Sequence, residues 1–166
     1  MLLENRNVNQ IKTMPEEAFR EALTSDFPKR ASQGRLIAIT DRAVALTPPA
    51  LEIAKRAAQA STSLQKPCLP CEMHLVYIDV LENGTLTEDG QKALLRSYEL
   101  SPYGPEDVMQ WRLHLSSTYW NVLSKDMKQR ALMQITALSE SRKGKRWLLG
   151  YNTEVNAIQS RINLLK

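Results

Sequence analysis

Cysteine and histidine are scarce here, with two of each in 166 residues. Two cysteines cannot supply the four thiolates of a zinc ribbon, so no metal knuckle pair is available. Glycine is sparse as well, at six residues. None of these falls in a phosphate-binding glycine loop or flanks a nucleophilic serine in an elbow, which removes two common enzyme signatures. Long apolar runs are also missing: stretches such as "LVYIDVL" are short and interrupted, well below the roughly 18 residues of a spanning helix. The opening "MLLENRNVNQ" has charges and asparagines with no apolar stretch behind them, so no secretory signal is expected. A cytoplasmic chain with no membrane span and reduced cysteines is the simplest expectation. No fixed-period repeat or low-complexity tract stands out.

The remaining composition is that of a globular protein, 43% hydrophobic and 24% charged. The length fits a single domain able to bury a core without a metal or a disulfide. Net charge is +4 and the pI about 9.1. A mildly basic balance permits contact with a polyanion without demanding it.

Hydrophobic spacing and punctuation read as helix almost throughout. "TMPEEAFREAL" offers Thr13 and Glu16 as a capping box, with Pro15 in the first turn and Phe19 and Leu23 on one face. "SDFPKRASQG" reads as a connector. Residues 35–46 suit either a strand or a helix, and helix is preferred because no partner strand is apparent. Thr47 is expected to cap the alanine-rich "PPALEIAKRAAQAS", with a loop, "TSLQKP", after it. In "PCEMHLVYIDVLENG" the positions Met73, Val76, Tyr77, Val80 and Leu81 form one stripe, ended by Asn83-Gly84. The next helix starts at Thr87 and turns Leu94, Leu95 and Tyr98 inward. Another starts at Pro105 and carries apolar residues widely around its axis. Ser124 caps a helix with Met127, Ala131, Ile135 and Leu138 on one face. "SESRKGKRWLLG" reads as a basic connector. A last helix after Asn152 or Thr153 buries Val155, Ile158, Ile162 and Leu165. The expected fold is all-α: a single compact bundle of about six or seven short amphipathic helices over 1–166, with a less ordered segment 1–12.

Few constellations carry chemistry. Cys68 and Cys71 are spaced as a metal knuckle, and with His74 and His114 they would complete a tetrahedral zinc set. The competing reading is two small, partly buried residues opening a helix, and it is preferred. A redox role is a third reading, since a helix N-terminus activates a thiol; the familiar redox pair follows a strand in a βαβ unit, which is absent here. Residues 79–90 place Asp79, Asn83 and Gly84 at calcium-loop positions, but Leu81 and Gly90 occupy two ligand positions, which excludes an EF-hand loop. The helices around "LSPYGP" do not make a helix–turn–helix, because the connection is long and the second helix opens with two acids.

Two surface readings remain. Trp111, Tyr119 and Trp120 lie at spacings that one buried stripe cannot absorb, so they are candidate anchors for a protein partner or a second copy of this chain. Arg142, Lys143, Lys145 and Arg146, ending in Trp147, form a cluster suited to phosphates and base stacking, which Lys125, Lys128 and Arg130 would extend. The competing reading is a solvated helix end, with cations facing terminal carbonyls. No catalytic set is recognised. The expected function is a non-enzymatic accessory or regulatory subunit docking on a protein. Nucleic-acid association through 142–147 is the alternative, and a zinc-stabilised helical domain the second.

Overall fold

The computed structural model describes residues 2–25, 27–28, 31–64 and 66–165, with side chains described from Asn7 onward and Ser25 excepted. Ten α-helices and one short 3-10 turn are present among these residues, and no strand. The all-α class therefore holds, and the expected count of six or seven helices is too low. No helix among them is long and apolar enough to cross a membrane. The chain divides into two compact units, residues 1–100 and 101–166.

The first unit holds α1 (Leu2–Thr13), α2 (Glu16–Ser25), α3 (Gln33–Ala45), α4 (Leu51–Thr62), α5 (Leu69–Asn83) and α6 (Glu88–Leu100). Its core gathers Ile11, Phe19, Leu36, Ile39, Ile53 and Ile78 around small alanines. Ala54, Ala57 and Ala58 of α4 are fully buried or nearly so. Lacking longer side chains, they let α3 approach closely, and α5 packs on α4 and α6 in turn.

Several helix boundaries differ from expectation, each for a physical reason. Thr13 closes α1, its hydroxyl donating to the Asn9 carbonyl at 3.0 Å, and does not form a capping box for α2. The ambiguous segment 35–46 is helical through Ala45, and α3 begins earlier, with Ser32 Oγ accepting from the Arg35 amide at 3.2 Å. Parts of the expected connectors around 25–34 and 62–67 lie outside the described residues. Thr47 caps nothing: α4 begins at Leu51. A residue before proline is disfavoured in the α region, and Thr47 and Pro48 both precede one, so the helix starts only beyond Pro49. In α5 the buried positions are Cys71, Glu72, Val76 and Ile78, while Tyr77 and Leu81 are exposed, so the expected stripe is rotated. Gly84 ends α5 at φ +66, a left-handed conformation suited to glycine.

The second unit holds α7 (Glu106–Thr118), the 3-10 turn Trp120–Val122, α8 (Lys125–Ser139), α9 (Arg142–Gly150) and α10 (Asn156–Asn163). Helix α8 packs against α7, α9 and α10. Ser124 caps it, accepting from the Met127 amide at 3.3 Å, and Met127, Ala131, Ile135 and Leu138 are all buried, as their spacing predicts. The core adds Met109, Leu113, Leu148, Ile158 and Ile162. Val155 and Leu165, expected inside, are only half-buried. Arg112 is fully buried and donates to the Ser101 carbonyl at 2.7 Å.

Candidate nucleic-acid interface

The stretch expected to be a basic connector is helix α9. Two features fold it. Ser141 Oγ accepts from the Gly144 amide at 2.8 Å, an N-cap, and its hydroxyl donates to the Glu106 carboxylate of α7. Gly144 then faces the end of α8 so closely that a Cβ there would lie 2.2 Å from the Leu138 carbonyl oxygen. Only glycine permits that approach. Leu148, one turn later, is fully buried and anchors the helix to the unit's core.

This anchoring turns Arg142, Lys143, Lys145 and Arg146 outward, all exposed. They occupy the first turn and the start of the second, where the helix macrodipole is positive. The usual arrangement puts acids there, and α9 has none in its first turn. Lys143 lies 3.9 Å from the Glu106 carboxylate, a weak contact for a side chain 82% exposed. Among the described residues no ion-pair partner is found for Arg142, Lys145 or Arg146. The solvated-end reading places cations beside the last carbonyls of a helix; these lie at the N-terminal end of α9 and directly follow the C-terminal end of α8.

Aromatic side chains continue from the far end of α9. Trp147 stacks on Tyr151 with ring centroids 4.7 Å apart and planes 22° from parallel. His114 of α7 meets Tyr151 edge-on at 6.2 Å, with the Tyr151 hydroxyl 3.5 Å from His114 Nδ1. His114 is exposed and Trp147 and Tyr151 are half-buried, so the row borders solvent.

Charge follows the same division. Residues 101–166 carry ten Lys and Arg against five Asp and Glu, whereas residues 1–100 carry twelve against thirteen. The basic balance of the chain therefore belongs to the second unit. Within it, Arg130 is bonded to Asp126 at 2.8 Å and Lys128 lies over the Trp120 ring at 5.6 Å, so two of the three α8 cations are already engaged. Lys125 is exposed.

The other candidate residues are dispersed. Trp111, Tyr119 and Trp120 are each half-buried, and Trp120 packs against the second unit's core. Cys68 and Cys71, expected as reduced thiols, are joined in a disulfide with Cα atoms 5.3 Å apart, a spacing the first turn of α5 provides. His74 Nε2 instead meets Asp41 of α3 at 2.7 Å, and His114 belongs to the second unit. No group of three or more His, Cys, Asp or Glu among the described residues is placed to hold a metal ion.

Comparison with known proteins finds no family model, no curated protein and no solved structure that matches this chain.

Proposed function

We propose that the protein is a non-enzymatic nucleic-acid-binding module whose second unit holds phosphates on α9, with single strands preferred. One observation supports this most: a run of cations at the positive pole of its own helix, three of them without an ion-pair partner among the described residues. Repulsion within such a cluster is eased in part by the Glu106 carboxylate at Ser141 and Lys143, and a further anion over Arg142, Lys145 and Arg146 would be favourable. The amides of a helix N-terminus favour the same ligand. Phosphates spaced along a strand would lie over Arg142, Lys145 and Arg146, and the aromatic step of Trp147, Tyr151 and His114 would offer a neighbouring base a stacking surface. Stacking needs unpaired bases, hence the preference for single strands. Such a ligand agrees with a cytoplasmic location.

The test is binding of a labelled single-stranded oligonucleotide followed by fluorescence polarisation. Replacing Arg142, Lys145 and Arg146 together with glutamine should weaken it by about tenfold or more at low salt. Equal affinity in the two proteins, or no binding by the unaltered chain at low salt, would refute the proposal.

Docking on a protein has one observation in its favour. A groove of about 480 Å³ in the second unit is lined by Tyr103, Met109 and Met133, with Tyr103 57% and Met133 43% exposed. Exposed aromatics and methionines beside a groove are typical interface anchors. Here they differ from the Trp111, Tyr119 and Trp120 set expected from spacing.

A further inference from the structure

The Cys68–Cys71 pair lies in the first unit, outside the proposed nucleic-acid face, and its surroundings are asymmetric. Cys68 is the N-cap of α5, and its sulfur accepts from the Cys71 amide at 3.3 Å. Cys68 also lines an open crevice of about 190 Å³ bordered by Lys66, Glu72 and Arg96. Cys71 lies behind it, 0% exposed and absent from the crevice wall, with its sulfur 2.8 Å from the hydroxyl of buried Ser61 on α4. Cys68, 6% exposed, borders the crevice, and its sulfur holds an amide donor that would stabilise its thiolate, with the Ser61 hydroxyl 4.0 Å away. Cys71 is sealed in, with the same hydroxyl in contact. This is the division between an attacking and a resolving sulfur.

We infer that Cys68 and Cys71 form a thiol–disulfide exchange site for small disulfides and thiols, entered through the crevice beside Cys68. In the reduced protein the Cys68 thiolate attacks one sulfur of a small disulfide RSSR. The Cys68–SR bond forms, the RS–SR bond breaks, and RS⁻ leaves. Cys71, after losing its proton to solvent, attacks Cys68 Sγ; the internal disulfide forms and the second RS⁻ departs. The two cysteines are oxidised, RSSR is reduced to two thiols, and the two protons released from the cysteines end on those thiols. Run backwards, the same steps oxidise two small thiols. Lys66 and Arg96 are balanced at the crevice by Glu72 and Glu99, with Arg96 bonded to Glu72 at 2.9 Å, so the wall selects small thiol compounds by access and not by charge. Ser61 positions Cys71 in either direction.

The test uses the full chain, folded as judged by circular dichroism, with glutathione disulfide as the probe. In the reduced, unaltered protein, brief iodoacetamide treatment and mass spectrometry should show Cys68 modified about tenfold or more faster than Cys71. Treated instead with glutathione disulfide, the unaltered chain should finish with the internal bridge and no adduct. Cys71→Ser should retain one glutathione on Cys68, and Cys68→Ser should take up none. Equal alkylation of the two cysteines, a lasting adduct on Cys71, or no reaction of either until urea unfolds the chain would overturn the assignment.

Discussion

Replacing Gly144 with alanine examines how α9 is held and therefore how its cations are presented. In an isolated helix this change stabilises by about 1 kcal/mol, because alanine restricts the unfolded chain and fits the helix interior. In this protein the added methyl would lie 2.2 Å from the Leu138 carbonyl oxygen and 2.9 Å from Ser141 Oγ. The first of these is backbone at the end of α8 and cannot rotate aside, so the start of α9 must shift. Overpacking of this kind costs about 1–3 kcal/mol. The shift also stretches the bond from the Gly144 amide to Ser141, 2.8 Å in the native state, whose loss is worth about 1 kcal/mol. Set against the helix-propensity gain, the balance is a destabilisation of about 1–3 kcal/mol. Urea unfolding followed by tryptophan fluorescence measures it, with Ser141→Ala as the companion that isolates the cap. A Gly144→Ala protein more stable than the native one would show that α9 does not pack on α8 as described.

Two more predictions concern the first unit. Arg42 on α3 donates to the carbonyls of Ile11, at 2.6 Å, and of Lys12 and Met14, closing the end of α1, and its guanidinium lies 5.0 Å over the Phe19 ring. Arg42→Met keeps much of the aliphatic stem and should cost about 2 kcal/mol in thermal unfolding, with amide exchange quickening in α1; an unchanged midpoint would refute that role. Lys55 of α4 is bonded to Glu82 of α5 at 2.7 Å, and this bond, with the Glu82 charge, raises its pKa above the ordinary 10.5. Its contribution is complete below pH 10.5 and disappears as pH rises through the folded-state value. Both side chains are partly exposed, so the effect is below about 1 kcal/mol. Glu82→Gln should therefore be slightly less stable than the native chain at pH 9, with the gap closing at higher pH; a gap that widens there would contradict the assignment.

Sequence spacing conveys some elements well and misplaces others, and the difference has a physical basis. Helix α8 has a single apolar stripe and a serine cap, so both its buried face and its start are legible. Helix α5 is apolar around much of its circumference, and it packs on both α4 and α6. Periodicity then fixes the helix but not its phase, which is why Tyr77 and Leu81 are outside. Helix α9 is obscured because a glycine in its first turn and four cations are read locally as a loop. What makes it a helix is the Ser141 cap, the buried Leu148 and the close fit of Gly144 on Leu138, the last of which needs α8 already in place. The Arg42 contacts join positions about thirty residues apart and leave no local trace. At the candidate site the basic cluster and Trp147 are visible in the sequence. Their place at the positive end of a helix, and the row with Tyr151 and His114, are not. For the cysteines, spacing alone does not say which one borders the crevice. Burial by α4 decides that.

The salt dependence of oligonucleotide affinity bears most directly on the proposed binding face. Each phosphate neutralised on a single strand contributes about 0.7 to the slope of log affinity against log salt. Removing the charges of Arg142, Lys145 and Arg146 together should therefore make that slope shallower by about 2. The same slope in both proteins would mean that phosphates are held elsewhere, or not at all.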